Sequence, residues 1–283
     1  MSILAAIVPR SEIWSAWQAE PAVIATAFVA AVWYGAGYYA TGIKAVRPAR
    51  AAAFGAGLVT ALLALLSPLG AAAIATLSSH MVQHVVLMFI AAPLLVAGRP
   101  GLVMGLAFPV RARRASWTLA RTRPVAIATR LLRNPLTILL LYTAVLWLWH
   151  LPGPYQAALR DRTIHGFEHL SFLAISMAFW AGVTRTGPRR RIAYVPSMAL
   201  VLGTMLQSTW LAALLTFGGI AYPAYERSAA VWHVNALADQ QLAGAIMWIP
   251  PAILYLVVFG VLFVRWFREL ESRHATRPAT VQP

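Results

Sequence analysis

Four of the seven histidines in this sequence form two pairs, each with a spacing of four residues. The first pair is His80 and His84, and the second is His165 and His169. This spacing puts both imidazoles of a pair on one face of a helix. On facing helices, the two pairs could supply four nitrogen ligands to one metal ion or to two nearby ions. We therefore predict that these four histidines form a shared metal site.

Three more ionisable residues occur at or near the ends of long apolar segments. His150 closes one segment, and Asp239 opens another with no lysine or arginine beside it. We expect both to be metal ligands or groups that orient ligands. Glu168 lies inside the second histidine pair, where it could be a ligand, a partner that orients a histidine, or an ion-pair partner of Arg160 or Arg162.

Sulfur chemistry in this chain is limited to methionine, because the sequence contains no cysteine. Disulfides, thiolate zinc sites and CxxC motifs are therefore excluded. Met88 continues the His80–His84 stripe by one helical turn, and Met247 lies two turns after Asp239. A thioether near imidazoles suits copper(I), although packing in the core or against lipid is the alternative role. We expect copper as the metal, with zinc or haem as alternatives.

Two other functions are compatible with the same residues. The second pair matches HxxEH, a zinc-protease signature in which the histidines bind zinc and the glutamate activates water. A membrane-embedded zinc hydrolase would use Glu168 or Asp239 as its general base. The pattern is short enough to occur by chance, however. Haem held by two histidines, one from each pair, is the third possibility.

The composition places these residues in a membrane protein. The chain is 60% hydrophobic and only 11% charged, whereas soluble proteins carry about 25% charged residues. The lipid bilayer must therefore solvate much of its surface. We predict an all-α, polytopic bundle of about seven transmembrane helices, with residues 1–271 as a single domain and residues 272–283 as a disordered cytoplasmic tail. The spans are expected at roughly 22–41, 51–67, 78–97, 135–150, 164–183, 192–217 and 237–264.

Charge distribution predicts the orientation. Most of the 23 basic residues fall in loops on one side, which is then cytoplasmic. This places the N-terminus outside, the C-terminus inside, and both histidine pairs, His150 and Asp239 at the outer ends of the helices. The stretch 111–133 is expected to form a basic helix on anionic headgroups. The net charge of +15 does not indicate nucleic-acid binding, because the basic residues occur in short groups between apolar runs.

Three blocks of sequence resemble the CtaG family of cytochrome c oxidase assembly proteins, the caa3-type group. They are His80-Met-Val-Gln-His84 continuing into Ala92-Pro93, Trp149-His150-Leu-Pro-Gly-Pro-Tyr155 followed by His165-x-x-Glu-His169, and Asp239-Gln-Gln-Leu-Ala-Gly244 with Met247-Trp248.

With the seven spans, the resemblance covers roughly residues 20–270. It implies a non-catalytic factor in the bacterial cytoplasmic membrane that assembles a haem–copper oxidase, handles copper and contacts oxidase subunits. An unrelated copper chaperone that shares the family's name uses cysteines, so its chemistry does not apply to this chain.

Overall fold

The computed structural model of the protein describes residues 7–40, 46–184 and 194–275. Within these ranges the chain is helical and contains no β-strand, which confirms the all-α prediction. A short 3-10 helix, Arg10–Ser15, comes first. The α-helices are α1 Pro21–Ala40, α2 Pro48–Leu66, α3 Pro68–Ala75, α4 Leu77–Val86, α5 Ala92–Ala97, α6 Pro100–Leu106, α7 Val110–Ala120, α8 Arg123–Leu131, α9 Pro135–His150, α10 Pro152–Arg160, α11 Arg162–Thr184, α12 Tyr194–Phe217, α13 Ala224–Val231 and α14 Ala236–Ala275.

Within the described ranges, six helical segments are long and apolar enough to cross a bilayer. They are Pro21–Ala40, Pro48–Leu66, Leu77–Ala97, Arg162–Thr184, Tyr194–Phe217 and Ala236–Ser272. The predicted fourth span, α9, has only 16 residues and qualifies only together with α8, from which it is bent by 70°. Length and composition thus give six to seven spans, in agreement with the predicted number. The orientation in the membrane stays a prediction.

The third span is built from three pieces, and its first piece carries the first histidine pair. α4 begins after Thr76, whose extended backbone separates it from α3 and whose side chain accepts a hydrogen bond from the backbone N–H of Ser79. A π-helical turn, Leu87–Ala91, joins α4 to α5. This wide turn precedes Pro93, which has no N–H to donate to the preceding turn. The indole of Trp180 donates to the carbonyl of Met88, at 2.9 Å.

This broken span lies in the middle of the bundle. α4 packs against α14 and α3, whereas α5 packs against α2 and α11. α12 in turn packs along α14 and α9. Large apolar side chains such as Phe28, Trp210 and Leu256 remain exposed on the outer faces of the spans. Exposed apolar surface of this kind is what a lipid environment requires.

Several connections contain more helix than the sequence indicated. The basic stretch 111–133 forms two helices, α7 and α8, because the chain turns at Arg121 and Thr122. The last helix, α14, continues to Ala275, beyond the domain boundary predicted at residue 271. Residues 276–283 of the predicted tail lie outside the described residues. The same holds for five basic residues in the loops that supported the orientation: Lys44, Arg185, Arg189, Arg190 and Arg191.

The close contact between α12 and α14 gives a first testable prediction. A Cβ atom at Gly244 would lie 2.8 Å from the backbone nitrogen of Thr216 and 2.9 Å from the carbonyl oxygen of Ala212. Because backbone atoms cannot move aside easily, we expect Gly244→Ala to destabilise the protein by about 1–3 kcal/mol. Gly260→Ala, on the same helix, meets nothing within 4 Å. Melting curves in detergent should therefore show a lower transition for Gly244→Ala only.

Candidate metal centre

Two helices bring both histidine pairs into one buried cluster. α4 contributes His80 and His84, and α11 contributes His165, Glu168 and His169. We call these five residues the histidine–glutamate cluster. The ring centroids of His80 and His165 are 5.4 Å apart, and those of His84 and His169 are 5.3 Å apart. The side chains of the two helices therefore meet, as the predicted shared site requires.

The donor atoms of the cluster converge on a small volume. The Nε2 atoms of His80 and His84 are 2.9 Å apart, and each lies 3.8 Å from Oε1 of Glu168. Oε2 of the same carboxylate is 4.0 Å from Nε2 of His165. Two overlapping triads have all their ligand atoms within 4.8 Å of one another. They are His80, His165 and His169, and His80, His84 and Glu168.

Several donor atoms in the cluster are buried without a hydrogen bond. Glu168 has no solvent exposure, and neither of its carboxylate oxygens has a hydrogen-bond partner among the residues that the structure describes. The Nε2 atoms of His165 and His169 are also buried without a hydrogen-bond partner. Leaving a buried polar atom without a partner costs about 1–3 kcal/mol, and more for a charged group. A cation bound between these atoms would satisfy them together, so the donor set fits a metal ion.

The side chain of Glu168 faces the histidines of the cluster. It does not form the ion pair with Arg160 or Arg162 that the sequence also allowed. Arg160 donates to Gln156, at 3.4 Å, and Arg162 is exposed. Asp161, between them, starts α11 by accepting from the backbone N–H groups of Thr163 and Ile164, which holds the pKa of its carboxyl below the usual value. Within the described ranges, the carboxylate of Glu168 has ion-pair contacts with histidines only.

Two tyrosines that the sequence analysis did not identify orient His80. Tyr225 in α13 donates its single hydroxyl proton to the carbonyl of Ala73, at 3.0 Å. It must therefore accept from Nδ1 of His80, at 3.1 Å, and from the hydroxyl of Tyr155, at 3.2 Å. His80 consequently carries its proton on Nδ1 and directs the lone pair of Nε2 into the cluster.

Burial keeps these tyrosines in the phenol form that this network needs. It raises the pKa of Tyr155 and of Tyr225 well above the usual value. No local pattern in the sequence distinguishes them from interfacial tyrosines, because their partners lie 70 or more residues away. Their role depends on the tertiary contacts that bring α10 and α13 close to α3 and α4.

Asp239 lies in the first turn of α14, as expected, and its carboxylate contacts the start of α4. Its Oδ2 atom accepts from the backbone N–H of Leu77, at 2.6 Å, and Oδ1 accepts from the N–H and the hydroxyl of Ser78. A carboxylate at this position satisfies the free N–H groups at the start of α4 and interacts favourably with the helix dipole. This geometry supports a structural role for Asp239, and its role as a metal ligand stays a prediction without geometric support.

The remaining candidates line a cavity on the other side of His84. His150 is buried, donates through Nδ1 to the carbonyl of Leu146 at 2.7 Å, and leaves Nε2 without a partner. Met88 and Met247 border the same cavity as His150 and His84. The structure therefore places His150 and both methionines beside the histidine–glutamate cluster rather than inside it.

An all-helical membrane protein with a buried imidazole–carboxylate cluster is the class that this fold and site define. Within this class, the chain belongs to the family described as the cytochrome c oxidase caa3 assembly factor, Caa3_CtaG, whose sequence model matches residues 32–269. The match includes every residue of the histidine–glutamate cluster as well as His150 and Asp239, and it confirms the resemblance of the three sequence blocks.

The chain is also similar to mycobacterial proteins that have no described function. An uncharacterized protein of Mycobacterium bovis is 26% identical over 217 residues, which cover 71% of this chain and 32% of that protein. An uncharacterized protein of Mycobacterium leprae is 25% identical over 218 residues, with the same coverage. The chain thus spans about a third of the length of the curated relatives it matches. No solved structure matches it significantly.

Proposed function

We propose that this protein is an assembly factor for a haem–copper oxidase of the bacterial cytoplasmic membrane and that it holds copper, as cargo for the oxidase, in the histidine–glutamate cluster. The observation that carries this proposal is the buried carboxylate of Glu168, which lies without a hydrogen bond among imidazole nitrogens from two helices. Membership of the family supports the assembly role. Oxidase subunits would be its protein partners, and lipid would surround its spans.

The choice of copper rests on the ligands and on the family. Imidazole nitrogen and carboxylate oxygen bind both copper and zinc, and copper(II) binds more tightly than zinc to a given site of this kind. Delivery to a copper-containing oxidase adds a reason to favour copper. In the predicted orientation, the histidine–glutamate cluster lies at the outer ends of the spans.

Haem is less compatible with the space around the cluster. A cavity of about 30 Å³ borders His84, and another of about 50 Å³ borders His165 and His169. Pockets for ligands of drug size or larger occupy about 300–1,000 Å³. These two cavities could admit an ion with its water molecules but not a porphyrin.

Metal analysis of the purified full chain tests the proposal. We expect stoichiometric copper in the wild-type protein and its loss in His80→Ala/His84→Ala, because both triads lose at least one ligand. In a deletion strain, the same variant should fail to restore oxidase activity. His233→Ala is the matched control, since His233 is an exposed histidine outside the histidine–glutamate cluster, and this variant should keep both copper and activity.

The alternatives give different results in the same preparation. Copper fully retained in His80→Ala/His84→Ala would contradict the proposed ligands. Zinc in the wild-type protein, together with hydrolysis of a lipid or peptide that stops in Glu168→Gln, would favour the membrane hydrolase. A haem absorption band that disappears in the double variant would favour the haem protein.

A further inference from the structure

A second cavity, next to His84, is lined by methionine and histidine side chains. It has a volume of about 30 Å³ and lies between α4, the π-helical turn, α9, α12 and α14. We call it the thioether cavity, because three methionines border it together with two histidines. Its potential ligands are His84, His150, Met81, Met88 and Met247. Glu168 does not line this cavity, so a cation here would meet neutral ligands.

The protonation of His150 follows from its partner. Nδ1 of His150 lies 2.7 Å from the carbonyl oxygen of Leu146. A carbonyl oxygen can only accept, so the ring proton is on Nδ1. Nε2 then carries a lone pair, and it is buried without a hydrogen-bond partner. His150 therefore presents an unused ligand nitrogen.

The protonation of His84 follows from the network around His80. His80 is protonated on Nδ1 because Tyr225 accepts there, and its Nε2 is therefore an acceptor. The 2.9 Å contact between the two Nε2 atoms then requires that Nε2 of His84 donates. The lone pair of His84 is thus on Nδ1, which is also buried without a partner. Both histidines of the thioether cavity have a free ligand nitrogen.

We propose that the thioether cavity is a second metal site, which binds a soft monovalent cation, copper(I). Nδ1 of His84 and Nε2 of His150 are the nitrogen ligands, and thioethers of the bordering methionines complete the coordination. Thioether and imidazole ligands select copper(I), whereas a divalent ion is costly to bury among neutral ligands. A cavity of this size holds a particle of about one or two water molecules.

This second site is independent of whether the histidine–glutamate cluster binds copper, although the two sites share the ring of His84. When Nδ1 of His84 binds the ion, the ring proton stays on Nε2, where it faces His80. Because that proton occupies the lone pair on Nε2 of His80, two ions can be bound together only if the contact between the two Nε2 atoms breaks and His80 joins the triad with His165 and His169.

X-ray absorption at the copper edge tests the second site. The full chain in lipid nanodiscs would be loaded with copper(I) under anaerobic conditions. We expect a sulfur scatterer in the first coordination shell of the wild-type protein. In Met88→Leu/Met247→Leu, the sulfur signal should fall. The copper(I) affinity, measured against a competing chelator, should decrease by more than about tenfold, because the loss of a group that only orients a ligand already lowers metal affinity by about that factor. Met198→Leu is the matched control, because Met198 is equally buried but does not line the cavity.

Three results would overturn the second site. They are a wild-type protein without a sulfur scatterer, an unchanged signal when Met81 is also replaced by leucine, and an equal loss of affinity in the control. If the double variant fails to fold, the single variants Met88→Leu and Met247→Leu should each lower the affinity, and two unchanged affinities would contradict the site. In Glu168→Gln the sulfur signal should persist. This separates failure of the second site from failure of the proposed function, which concerns the other cluster.

Discussion

A Glu168→Gln variant is expected to fold as well as the wild-type protein but to lose the copper of the histidine–glutamate cluster and its ability to restore the oxidase. Glutamine has nearly the same shape as glutamate and no charge. Glu168 is fully buried, and its oxygens have no hydrogen bonds to lose. A buried charge without a hydrogen bond costs more free energy than a neutral amide in the same place. The melting temperature of the metal-free protein should therefore stay equal or rise.

The same substitution removes the only carboxyl group in the histidine–glutamate cluster, and with it the negative charge that the cluster could offer a bound cation. Oε1 of Glu168 is equidistant from His80 and His84, and Oε2 faces His165, so the carboxylate is central to both sets of imidazoles. We expect the affinity for copper to fall by at least about 10–100-fold, the range seen when groups that only orient ligands are lost.

The measurements are copper content, competition for copper and oxidase activity in the deletion strain. Glu226→Gln, which changes an exposed glutamate, is the control and should behave as wild type. An unchanged copper affinity in Glu168→Gln would contradict a role for this carboxylate in binding. A strongly lowered melting temperature would instead indicate that it mainly holds the fold together.

An Asp239→Ala variant should lose both stability and copper, for a different reason. Its carboxylate satisfies the backbone N–H groups of Leu77 and Ser78 at the start of α4, the helix that carries His80 and His84. Each buried N–H left without a partner costs about 1–3 kcal/mol. For a domain of this size, a loss of 1 kcal/mol lowers the melting temperature by roughly 2–4 °C. We therefore expect a decrease of several degrees together with weaker copper binding.

Two further variants, Asp239→Asn and Asp161→Ala, test whether Asp239 acts as a helix cap or as a metal ligand. Asparagine keeps one acceptor oxygen, so it should restore part of the stability and, with it, part of the copper affinity. Asp161→Ala removes an exposed cap at the start of α11 and should cost only about 1 kcal/mol. If Asp239→Asn loses copper with an unchanged melting temperature, Asp239 is a ligand and the capping explanation is wrong.

The sequence predicted the elements that follow local rules. Long apolar runs identified the spans, because hydrophobicity over about 20 residues is a local property. The HxxxH spacing correctly placed His80 beside His84, and His165 beside His169, because both pairs lie on helices. The meeting of the two pairs was inferred from their common position near span ends, and the structure brings rings of the two pairs to centroid distances of 5.3 and 5.4 Å.

The parts that could not be predicted depend on contacts between distant segments. Asp239 looked like a ligand because its partner, the start of α4, is far away in the sequence. His150 lies at the expected end of its span, yet it lines the thioether cavity and belongs to neither triad of the histidine–glutamate cluster. Tyr155 and Tyr225 belong to short helices in connections, whose packing has no periodic signal in the sequence.

The bond between Asp239 and α4 also sets an order of events during synthesis. The two partners are separated by 162 residues, and ribosomes add about 5–20 residues per second. The helix that carries His80 and His84 is therefore made on the order of ten seconds before the carboxylate that holds its start. A nascent chain can display its histidines early, but it cannot fix them in their final arrangement until the last span has been translated.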